Sequence, residues 1–228
     1  MTGAADAGRG VPPAPPAGLQ PGFVAPEVGA EFPGLRLLWV RAQTRGRSSP
    51  AAVRRRLRSL SDRWRGAGVV SMRVKPVPHA FRAFFRQIGL DPDVQRIPSE
   101  RAAVSRLLHG EFRSVDLISD ACLIALIETG VPVWAVDADV IDEAGLGIRT
   151  ATAADAGSGS APAPPAGSLV VADGSRAHAV LFEDPFAGRG AGPRSGCVVL
   201  FALGVDGVPD IHLEEALWIA TDLLGDPG

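Results

Sequence analysis

Val53, Leu57, Leu60 and Trp64 fall at spacings of four, three and four, the interval that lines one face of an α-helix. The spacing predicts a basic amphipathic helix over 50–65, with Arg54, Arg55, Arg56, Arg58, Arg63 and Arg65 on the opposite face. A second helix is expected to open at Pro78, run through Phe81, Phe84 and Phe85 and end near Gly89. A third runs from Ser99, read as its N-cap, to His109, where Gly110 stops it. Residues 116–129 read as a mostly buried helix terminated by Gly130, and the chain closes with a helix over 213–224. Short apolar runs over 35–40, 131–136, 146–150, 169–172 and 179–182 read as strands. The run over 197–203 is continuous and apolar enough to be a central strand. Helices come first, strands later, and βα alternation is irregular, which argues for an α+β fold.

Composition changes this picture at two places. Residues 1–27 are rich in Ala, Gly and Pro and bury too little apolar surface to offset ordering, so a disordered tail is expected there. Residues 151–168 include Gly157-Ser158-Gly159-Ser160 and Pro162-Ala163-Pro164-Pro165, and are expected to form a flexible loop inside a single domain spanning 28–228. No apolar run reaches the length of a membrane span and no secretory leader pattern opens the chain, so a cytoplasmic protein without a membrane partner is expected. Cys122 and Cys197 sit in apolar runs without partners at metal-ligand spacing, so buried free thiols are expected and neither a metal nor a cofactor is implied.

The net charge of −2 conceals an asymmetry. Residues 36–86 carry 14 Arg or Lys against one acid, Asp62, whereas residues 87–228 carry 8 Arg against 21 acids. Lys75 is the only lysine; every other base is Arg. So dense a basic block is what a phosphate backbone attracts, since each neutralised phosphate releases a counterion. It is equally what results when a basic half packs against an acidic half of one fold. Both readings stand at this point.

Arg113-Ser114-Val115-Asp116-Leu117-Ile118-Ser119-Asp120 is similar to a segment of the B3/B4 domain, the editing module in the beta subunit of bacterial phenylalanyl-tRNA synthetase. Val131-Pro132-Val133-Trp134-Ala135-Val136-Asp137, Gly147-Ile148-Arg149-Thr150-Ala151 and Val170-Val171-Ala172-Asp173 resemble three further segments of that family, in the same order. Phe81–Gly89 and the stretch from Pro98-Ser99-Glu100 to Arg106-Leu107 resemble its free-standing members. The resemblance implies a single α+β domain with a mixed β-sheet and flanking helices. It further implies a tRNA or aminoacyl-tRNA partner and, where the chemistry is kept, hydrolysis of the aminoacyl ester.

The family's pocket Thr, two residues after the Asp matching Asp120, falls on Cys122; its pocket His falls on Trp134 and its pocket Glu near Ala187. Asp120, Asp137, Arg149 and Asp173 are the neighbouring pocket candidates that the resemblance implies. With Thr, His and Glu replaced, two functions remain open: an aminoacyl-tRNA deacylase, or a non-catalytic module for an amino-acid-like ligand or a protein partner. Cys122 as a nucleophile needs a base, and none of His79, His109, His178 and His212 has a signature placement near it. Asp137 and Asp139 read either as metal or ribose ligands or as a solvated strand end. The run Gly188-Arg189-Gly190-Ala191-Gly192 lacks the ending of a P-loop and reads as a flexible loop over the pocket.

Overall fold

The computed structural model describes residues 18–45, 48–64, 72, 74–142, 145–156 and 164–225. Its α-helices are α1 (Pro26–Glu31), α2 (Ala51–Arg63), α3 (Pro76–Gln87), α4 (Pro98–His109), α5 (Leu117–Thr129) and α6 (Asp210–Gly225). Its strands are β1 (Gln20–Pro21), β2 (Phe23–Val24), β3 (Arg36–Gln43), β4 (Val133–Asp137), β5 (Gly147–Thr150), β6 (Leu169–Ala172), β7 (Ala177–Val180) and β8 (Cys197–Gly204). They form an α+β fold with two four-stranded sheets.

The first sheet runs β1-β3-β8-β4 and is antiparallel throughout. β8 is central, as its unbroken apolar run Cys197–Leu203 requires: residues 198–204 are buried, so both faces of the strand are covered. The second sheet runs β2-β5-β6-β7 and is mixed, because β2 pairs in parallel with β5. Gly147 makes that pairing possible, since a Cβ there would collide with the ring of Phe23. Helices α5 and α6 pack on each other and on the first sheet, and α2 packs on α5. Each Leu or Ile so enclosed, such as Leu57, Ile124 and Leu217, stabilises the fold by about 1.5–3 kcal/mol.

Local chemistry fixes the ends of the helix that carries Cys122. Asp116 is the N-cap of α5, its carboxylate accepting from the Ser119 N–H at 2.9 Å, and Gly130 ends the helix at φ 80°. The expected tail over 1–27 ends earlier than composition indicated. Gln20–Pro21 pairs with β3 and Phe23–Val24 with β5, so the sheets already hold the chain at Gln20. Residues 1–17 lie outside the described set. Ser99 is not the cap of α4: Pro98 takes the first helical position, Ile97 precedes it without a side-chain cap, and the buried Ser99 hydroxyl has no hydrogen-bond partner. The expected loop over 151–168 is anchored where it begins, through the turn Ala153–Ala156; residues 157–163 lie outside the described set.

The strand expected over 179–182 is displaced to Ala177–Val180 because Phe182 turns out of it with φ 66°. A left-handed backbone costs a non-glycine residue about 1–3 kcal/mol. The Phe182 ring is the compensation: it packs against Phe81, Phe84, Phe85 and Trp134, with centroid separations of 5.0 to 6.2 Å.

Candidate functional site

Trp134 stands on β4 beside its cross-strand partner Phe201, the two rings stacked at 5.5 Å and 16°. Phe182 presses on it from the side, which leaves the indole 8% exposed. Cys122 lies one helical turn into α5, which packs against β4. Cys122 and Trp134 share one cleft of about 320 Å³, so Trp134 walls it without filling it. Leu123 and Leu126 of α5 extend the apolar wall, and Arg101 of α4 and Asp184 from the segment after β7 supply one charge of each sign. Arg101 is held by the Phe182 carbonyl at 2.8 Å and by the Glu183 carboxylate at 3.3 Å, so strained Phe182 also positions the cleft's guanidinium.

Part of the Cys122 surface opens to this cleft, yet burial, with the Asp116 charge adding to it, pushes its thiol up to about 12. At neutral pH Cys122 is therefore a thiol and a poor nucleophile. No histidine lines the cleft among the described residues. Ala187 is exposed in a turn and does not line it. Cys122 and Cys197 are free thiols, each partly exposed rather than fully enclosed.

The neighbouring pocket candidates are each engaged in the scaffold. Asp120, 1% exposed, accepts from the Ser49 hydroxyl, the Ser114 hydroxyl and the Val115 N–H, tying the entry of α2 to the entry of α5. Asp137 caps the 3-10 turn Ala138–Val140 through the Asp139 N–H at 3.0 Å and accepts from the Ser195 hydroxyl. Arg149 forms a two-pronged pair with Asp155 at 2.7 and 2.8 Å. That guanidinium, ahead of the Thr152 N–H, holds the Asp155 carboxyl well below the usual carboxylate range.

Asp173 and His178 form a fully buried pair at 2.8 Å across the turn joining β6 and β7. Burial works to raise the Asp173 pKa, but His178 and the N–H groups of Ser175 and Arg176 outweigh it and hold the carboxyl low. Burial pushes His178 below its ordinary value against the pull of Asp173, and its Nδ1 has no hydrogen-bond partner. Among the described residues no group of His, Cys, Asp and Glu is arranged to hold a metal ion. The loop over 188–192 lies along the outer edge of β4, where Arg189 O accepts from Asp137 N at 3.1 Å and Ala191 N donates to Ala135 O at 3.1 Å.

The basic half divides. Arg56 is paired in two-pronged fashion with Glu128, which raises its pKa, and Arg36 is paired with Asp210. Arg82, buried, is bonded to Glu100 at 2.9 Å and Asp93 at 2.8 Å. Those arginines serve the fold. Arg54 donates to the Ser49 carbonyl at 2.6 Å but remains exposed, as do Arg55, Arg58 and Arg63 on the outer face of α2. Arg65 lies outside the described residues.

Sequence reasoning missed Arg101 and Asp184 as cleft residues. Arg101 sits at an unspecified position of the stretch from Pro98 to Leu107 and Asp184 in no quoted segment, and they meet Cys122 only because α4, α5 and the segment after β7 converge at the start of β4. No helix among the described residues is long and apolar enough to cross a membrane. No protein-family model matches this chain, and no curated protein matches it.

Proposed function

We propose that this chain is a B3/B4-like module that binds the aminoacyl end of a tRNA without hydrolysing it. The observation that carries the reading is the cleft in which Cys122 and Trp134 meet Arg101 and Asp184. An aminoacyl ester keeps a cationic α-amino group, which a carboxylate such as Asp184 attracts. It also carries a nearby phosphate, which a guanidinium such as Arg101 attracts. Trp134, Leu123 and Leu126 supply an apolar wall for the amino-acid side chain. The exposed Arg54, Arg55, Arg58 and Arg63 stand on α2, which packs on the helix bearing Cys122, and offer the tRNA backbone a positive face. Binding is favoured over ester hydrolysis because Cys122, protonated to about 12, and Trp134 replace the family's polar pocket groups.

The test is a titration of charged and uncharged tRNA at several salt concentrations, with the ester followed in parallel. The expected result is salt-sensitive binding, tighter for charged tRNA, with the ester lifetime unchanged. Arg55→Gln with Arg58→Gln flattens the salt dependence, and Asp184→Asn removes the preference for charged tRNA. Absence of salt-sensitive tRNA binding overturns the proposal; catalysed deacylation replaces it with an editing enzyme.

A further inference from the structure

At the C-terminal end of α2 lies a second niche, about 570 Å³, lined by Leu60, Arg63, Trp64, Lys75, Ile127 and Glu128. Leu60 and Ile127 are buried and form its apolar floor. Trp64 is partly exposed, and its ring is steadied edge-on by Phe112 at 6.2 Å and 66°. Arg63 and Lys75 are exposed at the rim, and Lys75 is the chain's only lysine. Glu128 does not cancel them, because Arg56 takes both of its oxygens at 2.9 and 2.6 Å. An aromatic face with two exposed cations beside it matches a base attached to its phosphates.

We propose that this niche is a nucleotide subsite for single-stranded RNA, with an unpaired base stacked on Trp64 and its flanking phosphates between Arg63 and Lys75. The inference rests on the tRNA reading and adds to it a place where an unpaired nucleotide is held, apart from the cleft at Cys122. The cation pair favours RNA over a peptide partner, since Glu128, the one carboxylate among the described residues that line the niche, is already satisfied from within the chain.

The experiment titrates the full chain with fluorescein-labelled hexaadenylate RNA, with inorganic polyphosphate as a base-free competitor and with tRNA in a separate arm. Trp64→Ala is expected to weaken hexaadenylate binding about 5- to 160-fold, the usual effect of losing one stacked base, while Trp64→Phe keeps most of the affinity. The intrinsic tryptophan quench seen on binding is expected to disappear in Trp64→Phe, a readout that does not depend on the Ala variant folding. Arg63→Gln with Lys75→Gln lowers the log–log salt slope by about 1.4, close to 0.7 per phosphate contact. Hexaadenylate binding within twofold of the parent in Trp64→Ala overturns the subsite, as does polyphosphate competing equally with RNA. If tRNA binds with salt sensitivity but without dependence on Trp64, the subsite falls and the tRNA reading stands. If hexaadenylate binding depends on Trp64 but no tRNA binds, the subsite stands and the tRNA reading falls; if neither RNA binds, both fall.

Discussion

Replacing Asp120 by alanine removes the acceptor on which three donors converge: the Ser49 hydroxyl, the Ser114 hydroxyl and the Val115 N–H. The donors are not equivalent. Ser49 is 3% exposed and loses its bond with no water to replace it, a penalty of about 1–3 kcal/mol. Ser114 and Val115 are exposed and recover solvent, so each forfeits only a net bond of about 0.5–1.5 kcal/mol. The sum is about 4 kcal/mol, a large share of the roughly 5–15 kcal/mol that holds a domain together. Asp120→Asn keeps the shape and one acceptor oxygen, and its expected loss is about half as large. Urea unfolding of the full chain measures both, and a double-mutant cycle with Ser49→Ala isolates the shared bond, with an expected coupling of about 1–3 kcal/mol. A loss within about 0.5 kcal/mol of zero in Asp120→Ala, or additive effects with Ser49→Ala, would refute this account. Weakened tRNA binding at unchanged stability would instead place Asp120 among ligand-contacting residues.

Arg82→Met leaves Glu100, whose side chain is 4% exposed, without its main partner, and about 3–5 kcal/mol of stability should be lost; Arg82→Met with Glu100→Leu should recover much of it in chemical denaturation. His178 is held below its ordinary value by burial, so the unfolded chain takes up a proton there first as pH falls. The stability this neutral histidine contributes is present above about 6.5 and lost on acidification, with a limiting slope of about 1.4 kcal/mol per pH unit. Guanidinium unfolding between pH 7.5 and 5 should show stability falling more steeply on acidification in the parent than in His178→Gln; parallel profiles would disprove it. Cys122, at about 12, should react with iodoacetamide at neutral pH far more slowly than a free thiol, and labelling at the rate of free cysteine would contradict its placement.

Local sequence determined those elements whose signals are carried by a few neighbouring residues. Asp116 at the cap and Gly130 at the exit bounded α5, and the apolar run from Cys197 to Leu203 announced a strand covered on both faces. Two-residue strands such as Gln20–Pro21 and Phe23–Val24 have no periodicity to read, and they pair only because β3 and β5 offer them edges. The turn of Phe182 out of β7 had no local cause either; four aromatic rings from α3 and β4 hold it there. The candidate site divides the same way. Cys122 and Trp134 were legible as positions, but that they share a cleft with Arg101 and Asp184 was settled by three separate segments converging on β4. Charge density along the chain was plain from the sequence. Which arginines are spent inside the fold, as Arg56 and Arg82 are, and which stay exposed, as Arg55 and Arg58 do, depends on where distant carboxylates arrive. A charge is a property of a residue, whereas its partner is a property of the packing, and only tertiary structure brings Glu128 to Arg56 and Glu100 to Arg82.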